Sequence, residues 1–202
     1  MIIEMKDIYK SFGKNDVLKG VDFNLGQGEI HALVGENGAG KSTLMNILYG
    51  MFPPSEGSIN INGKTYTNMT PKMAIDAGIG MVHQHFMLIE PLTVTENIIL
   101  GYEEDTGLFL DRKTAREKIE KLSEEYGLMI DPNAKVEDIS VGQQQRVEIL
   151  KALYRGADIL IFDEPTAVLT PQEINEFIEI INKLTRMDKS IIIITHKLAE
   201  IK

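Results

Sequence analysis

Two short stretches of the chain carry chemistry. Gly35-Glu36-Asn37-Gly38-Ala39-Gly40-Lys41-Ser42-Thr43 fits the pattern G-x-x-x-x-G-K-[ST]. Glycines at this spacing let the backbone curl until successive N–H groups point at one anion. A helix starting at the lysine adds unpaired N–H groups and the positive end of its dipole. Lys41 then reaches the β- and γ-phosphates of a nucleotide, and the Ser42 hydroxyl becomes a ligand for Mg²⁺. Several charge-assisted hydrogen bonds of about 1.5–3 kcal/mol each are enough to hold a triphosphate. The second stretch, Ile159-Leu160-Ile161-Phe162-Asp163-Glu164, is an apolar run that ends in two acids. Asp163 at the end of such a strand can hold the Mg²⁺ shell beside Ser42. Glu164 can then polarise an attacking water as a general base. Two acids can also do no more than terminate a strand, but a phosphate loop in the same chain favours the catalytic reading.

The elements that must position these groups are legible in outline. Alternation through Ile8, Val21, Phe23 and Leu25 predicts half-buried antiparallel strands over the first 25 or so residues. Gly26-Gln27-Gly28 makes a turn. Residues 29–34 read as a buried strand leading into the phosphate loop, and Lys41 to Tyr49 as the helix after it. Ser58 to Thr67 reads as a hairpin turning at Asn62-Gly63. Pro71 to Ala77 is a short helix and Ile79 to Val82 a short buried strand. From Phe86 to Tyr154 the texture changes: Thr95 to Leu100, Asp111 to Tyr126 and Gly142 to Tyr154 carry helical spacing. Asp111 to Glu125 is read as a solvated helix face. Ile159 to Phe162, Pro171 to Arg186 and Ser190 to Thr195 then read as strand, amphipathic helix and strand. The expected fold is α/β, a mostly parallel core sheet with an N-terminal antiparallel β subdomain. A helical subdomain over about 86–154 is inserted between core segments 1–85 and 155–202.

Composition narrows the function. The 202 residues suit one domain, or one with an inserted lobe. Twenty-one basic residues against 30 acidic give a formal charge of −9, which argues against coating a nucleic acid. Absence of cysteine excludes disulfides and thiolate metal sites. Glu4 and Asp7 interrupt the stretch where a secretory apolar region would lie. No apolar run approaches the ~18–20 residues of a membrane span. A soluble protein is expected, reaching a membrane only by docking onto something that spans it.

With these motifs in place, the chain resembles the ATP-binding module of ABC transporters along nearly its whole length. Ile139-Ser140-Val141-Gly142-Gln143 is similar to the family signature LSGGQ and precedes the Asp163–Glu164 strand, as in the family. Gln84 resembles the Q-loop glutamine, His196 the switch histidine, and Phe12 the aromatic that stacks on adenine. Alone, His196 could simply cap its strand and Phe12 would be an ordinary aromatic; the resemblance assigns their roles. It implies ATP and Mg²⁺ as cofactors, with Ser42, Gln84 and Asp163 as metal-side groups and Glu164, His196 and Gln84 as catalytic groups. It also implies two composite sites, each using one module's loop and the other's signature. Ser140 and the Gly142 N–H would clamp the γ-phosphate bound on the partner, with Gln143 a further nucleotide-binding residue of the same turn. The implied partners are a second module, integral membrane permease subunits and, indirectly, an extracellular solute-binding protein, at the cytoplasmic face of the membrane.

The methionines Met81 and Met87 are read as gap-filling core residues, with Met87 placed where the family receives its permease helix. His83 and His85 are read as a poor metal pair, because alternating strand residues face opposite ways. Val141 and Ile139 depart from the signature's glycine and leucine. Thr170 stands where the family usually has an aspartate that helps set the partner's water, which implies that the site opposite this module hydrolyses poorly. The chain ends six residues past His196 and resembles the N-terminal half of tandem-module importer ATPases for simple sugars or nucleosides, nucleosides being preferred. Two other functions are a soluble ABC-type machine on DNA or ribosomes and a non-hydrolytic nucleotide switch. The acidic balance and short helical lobe disfavour the first, and Glu164 the second. A P-loop kinase leaves Ile139 to Gln143 unexplained.

Overall fold

The computed structural model describes residues 1–102 and 112–196. Two long antiparallel strands open the chain, β1 (Ile3–Phe12) and β2 (Asn15–Leu25). Then come β3 (Ile30–Val34), α1 (Lys41–Leu48), and the hairpin of β4 (Glu56–Ile61) and β5 (Lys64–Tyr66). At its turn Asn62 and Gly63 both have positive φ, 50° and 82°, as a type I′ turn requires. The order continues with α2 (Pro71–Asp76), β6 (Ile79–Val82), α3 (Val94–Ile99), α4 (Arg112–Tyr126) and α5 (Val141–Tyr154). It closes with β7 (Ile159–Asp163), α6 (Pro171–Arg186) and β8 (Ser190–Thr195).

The strands form two sheets, an antiparallel one in the order β2-β1-β4-β5 and a parallel one in the order β3-β8-β7-β6. Residue alternation makes the parallel sheet a middle layer. Ile159 and Ile161 of β7, with Ile192 and Ile194 of β8, pack with α1 and the inner face of the antiparallel sheet, among them Met45, Leu48, Ile3 and Leu25. Leu160, Phe162 and Ile191 face the other way, into a cluster with Ile98, Ile119, Leu150 and Phe177 from α3, α4, α5 and α6. Burying both faces explains the unbroken apolar runs of β7 and β8, since covered parallel strands do not alternate with polar residues.

Three expectations need correction. The strand before the phosphate loop is not buried. Among the described residues β3 is an edge strand, with Ile30 and Val34 about 42% and 41% exposed. Met87 is no core residue at 61% exposure, because β6 stops five residues earlier and the chain has left the sheet; Met81, on the strand, is buried. That same stop at Val82 places His83 and His85 beyond the strand, so alternation does not govern them. Asp111 lies outside the described residues, and α4 is described from Arg112 with Ala115, Ile119, Ser123 and Tyr126 on its buried side.

Candidate functional site

The phosphate loop runs from the end of β3 into α1. Gly40, the residue before the helix, has φ 87°, and a Cβ there would lie 2.7 Å from Leu18 and 3.2 Å from the Val17 carbonyl. Only glycine satisfies both the left-handed backbone and that close approach to β2. Lys41 is folded back over its own loop, its Nζ donating to the Gly35 carbonyl at 2.6 Å and the Glu36 carbonyl at 2.9 Å. The ammonium therefore sits inside the curl of backbone that precedes it.

From the first turn of α1, the Ser42 hydroxyl donates to Asp163 Oδ1 at 2.9 Å, joining the loop to the end of β7. Burial raises the Asp163 carboxyl above its ordinary value, and the charge of Glu164 adds to the rise, while the Ser42 hydrogen bond opposes it. Glu164, the next residue, has a positive φ of 50°, and its N–H donates to the Ile194 carbonyl of β8 at 3.0 Å. Such a backbone in a non-glycine residue is unfavourable by about 1–3 kcal/mol and persists only where the surroundings impose it. Here the turn directs the carboxylate to His196, with Oε2 2.7 Å from Nδ1.

One cavity of about 530 Å³ is lined by Phe12, residues 37–43, Gln84, Glu164 and His196. Phe12 ends β1, is half exposed, packs edge-on against Phe52 at 5.3 Å, and has the Lys10 ammonium 5.2 Å from its ring centre. The segment after Gln84 is strapped down on α5 and α3. The Met87 N–H donates to buried Glu148, Lys151 donates to the Met87 carbonyl, and buried Asn97 exchanges bonds with Ile89 in both directions. His83 beside it is held neutral more strongly than a free imidazole, because burial lowers its pKa.

Ser140, Gly142 and Gln143 are not part of that cavity. They line a separate groove of about 740 Å³ between α5 and α6. Ser140 is the N-cap of α5, accepting from the Gln143 N–H, while the Gln143 side chain accepts from the Ser140 N–H. This reciprocal cap satisfies two helix-end donors. Buried Gln145, one turn along, donates to the Pro165 carbonyl at 2.7 Å, tying α5 to the residue after Glu164.

Three features of these sites were not read from the sequence. Asn15 and Val17 line the first cavity with Phe12, and Glu148 anchors the segment after Gln84. Glu173 reaches the Ser140 turn from α6. The spacing Thr170-x-x-Glu173 is a legible capping box, but the approach of α6 to α5 is not.

The order phosphate loop, Ser140 turn, acidic strand end and His196 can now be set beside known proteins. A family model described as ABC transporter matches residues 18–167. The chain belongs to the ABC transporter family. This module is 61% identical over 201 residues to the nucleoside import ATP-binding protein NupA of Lactococcus lactis subsp. cremoris (strain MG1363), covering 100% of the chain and 40% of that relative. It is 56% identical over 191 residues to the guanosine import ATP-binding protein NupO of Bacillus subtilis (strain 168), covering 95% of the chain and 38% of the relative. The module thus spans about 40% of the length of these curated relatives. Among solved structures it is similar to the ADP conformation of MJ1267, an ATP-binding cassette of an ABC transporter, with TM-score 0.86, 28% identity, and coverage of 99% and 83% of the two chains. It is also similar to the dimeric structure of MJ0796, a bacterial ABC transporter cassette, with TM-score 0.82, 28% identity, and coverage of 98% and 90%.

Proposed function

We propose that this module binds and hydrolyses ATP to power import of a small solute, a nucleoside first and a simple sugar second, through a membrane permease. The observation that carries this is the single cavity in which Phe12, the phosphate loop, Gln84, Glu164 and His196 converge, with Ser42 and Asp163 joined beside it. The relatives at 61% and 56% identity are named for nucleoside and guanosine import, and ribose import proteins stand at 46% and 48%. Their names support the preference for nucleosides.

The residues divide the work. Phe12 stacks on the adenine. Backbone N–H groups of residues 37–43 and the α1 N-terminus take the phosphates, and Lys41 exchanges its two loop carbonyls for phosphate oxygens of higher charge. The hydroxyl of Ser42 and the carboxylate of Asp163 are hard oxygen donors of the kind Mg²⁺ takes one or two at a time beside phosphate, and the side-chain oxygen of Gln84 is a third. When bound, the ion neutralises phosphate charge. Glu164, held by His196 Nδ1, accepts the proton of the attacking water, and His196 lines the same cavity beside the phosphate loop.

Ser140, Gly142 and Gln143 face a different groove, so they serve a nucleotide held by another module, and ATP joins the two modules. That module, the permease and an extracellular solute-binding protein complete the assembly at the cytoplasmic face of the membrane; nucleic acid is no part of it. Residues 86–154 act as the helical insert between core segments 1–85 and 155–202. Among the described residues no helix is long and apolar enough to cross a membrane, which fits a module that docks. Reconstitution of the full-length polypeptide with its membrane subunits in vesicles tests this: ATP-dependent uptake of labelled nucleoside is expected. Uptake of nucleoside without ATP, or none with it, overturns the assignment.

A further inference from the structure

The seat at the N-terminus of α5 already holds an anion. Glu173, in the first turn of α6, lays its carboxylate across it. Oε1 accepts from the Gly142 N–H at 3.1 Å and from the Ser140 hydroxyl at 3.2 Å. Oε2 accepts from the Thr170 N–H at 3.0 Å and the Thr170 hydroxyl at 2.9 Å. A Cβ at position 142 would come within 2.6 Å of Oε1, so only glycine leaves room for the contact. These bonds hold the Glu173 carboxyl below its ordinary range, those from Thr170 foremost. Aim is provided by the chain itself: Thr170 and Glu173 form the capping box of α6, which fixes the side chain toward α5.

Ser140 and Gly142 are the two donors assigned above to the γ-phosphate of a facing module. A carboxylate and a phosphate are both anions seeking the same O–H and N–H groups, and they cannot share them. We propose that Glu173 is an internal occupant of the signature seat, displaced by the γ-phosphate when two modules close, and that it sets the ATP concentration at which closure occurs. ADP carries no γ-phosphate to compete, so the occupant stays and the modules remain apart. Glu173 is thus a positioning residue that raises the ATP concentration needed for closure. This rests on the composite-site reading of Ser140 and Gly142.

Closure of the full-length assembly, followed by energy transfer between labels on two facing modules, is titrated with a non-hydrolysable ATP analogue. Glu173→Gln keeps the side-chain length and can still form the capping box, but its amide competes less well than a carboxylate. Glu173→Ala removes the occupant. Both are expected to lower the half-saturating analogue concentration about five- to tenfold, the range of a modest coupling between sites, and to leave ADP unable to close the modules, since it offers the seat no γ-phosphate. An unchanged or higher half-saturation in Glu173→Gln, with the wild-type melting curve kept, overturns the proposal. Ser140→Ala separates the two failures. If wild type closes and Ser140→Ala does not, while the Glu173 variants do not move, the occupant alone is refuted. If the analogue fails to close wild type, the composite site falls and the occupant with it.

Discussion

Glu164 and His196 meet at 2.7 Å although 32 residues separate them in sequence. The register of the parallel sheet brings them together. Asp163 at the end of β7 pairs with Ile194 of β8, so the residues that follow both strands emerge side by side. The positive φ of Glu164 then turns its carboxylate toward the imidazole. Backbone strain and the hydrogen bond that the Glu164 N–H donates to the Ile194 carbonyl of the neighbouring strand together fix the direction of one carboxylate.

Removing the charge of Glu164 tests its role as base. Glu164→Gln retains size and should bind ATP normally while phosphate release falls at least about 100-fold, the lower range of general-base contributions. His196→Ala leaves the base but frees its direction, and a smaller loss of about tenfold is expected with ATP affinity kept. Phosphate release and nucleotide titration on the same preparations check both. Near-normal turnover in Glu164→Gln removes that residue from its role.

Lys41 should govern binding rather than the chemical step. Its ammonium is the only side-chain cation lining the loop cavity among the described residues, and it is already pre-placed over Gly35 and Glu36. Lys41→Ala should lower ATP affinity at least about 100-fold, since two charge-assisted bonds of about 1.5–3 kcal/mol are lost. Equilibrium titration with a fluorescent ATP analogue reads this directly, and retained affinity would falsify the site assignment.

Much of this was open to reading in the sequence, for physical reasons that differ by element. Asn62-Gly63 specifies its turn because both residues tolerate positive φ, and β7 announces itself because both faces are covered. The phosphate loop is legible because its glycines and lysine are dictated by an anion that the spacing alone can fit. The exposure of β3 was not legible, since it depends on β8, far along the chain, being its one neighbour among the described residues. Nor was Met87, whose exposure follows from where β6 stops. Glu173 shows the limit clearly: its capping-box spacing is local, while its second oxygen meets Ser140 only because α5 and α6 pack together.

Asp163 should reveal a conflict between stability and function. Burial raises its folded-state pKa above the unfolded 3.8, so the native state prefers the protonated carboxyl. Its contribution favours folding below pH 3.8 and is lost as pH rises through the folded value, leaving a penalty at neutral pH. Asp163→Asn keeps an oxygen for the Ser42 hydroxyl and removes that penalty. The residue is only half-buried, so solvent screening limits the gain to about 0.5 kcal/mol, or ~1–2 °C in Tm at pH 7. Mg²⁺-dependent hydrolysis should nevertheless collapse. A fall in Tm at pH 7 without nucleotide contradicts the expectation.

Thr170 should make the two composite sites unequal. It caps α6 and carries no charge, so under the composite-site proposal the site facing this module would lack an acid to help set its water, whereas this module's own loop, Glu164 and His196 are present. Lys41→Ala in the full-length assembly leaves only the facing site, and turnover should drop to about a tenth or less of wild type. Adding Thr170→Asp to that background should recover part of it. Aspartate caps a helix as well as threonine does, so α6 survives the change. But a carboxylate at 170 cannot donate to Glu173 as the Thr170 hydroxyl does at 2.9 Å, and its charge pushes Glu173 away from Ser140. The same substitution should therefore lower the ATP needed for closure as well as raise turnover at the facing site. If inactivating each loop in turn leaves equal residual rates, the two sites are equivalent and Thr170 has no such effect.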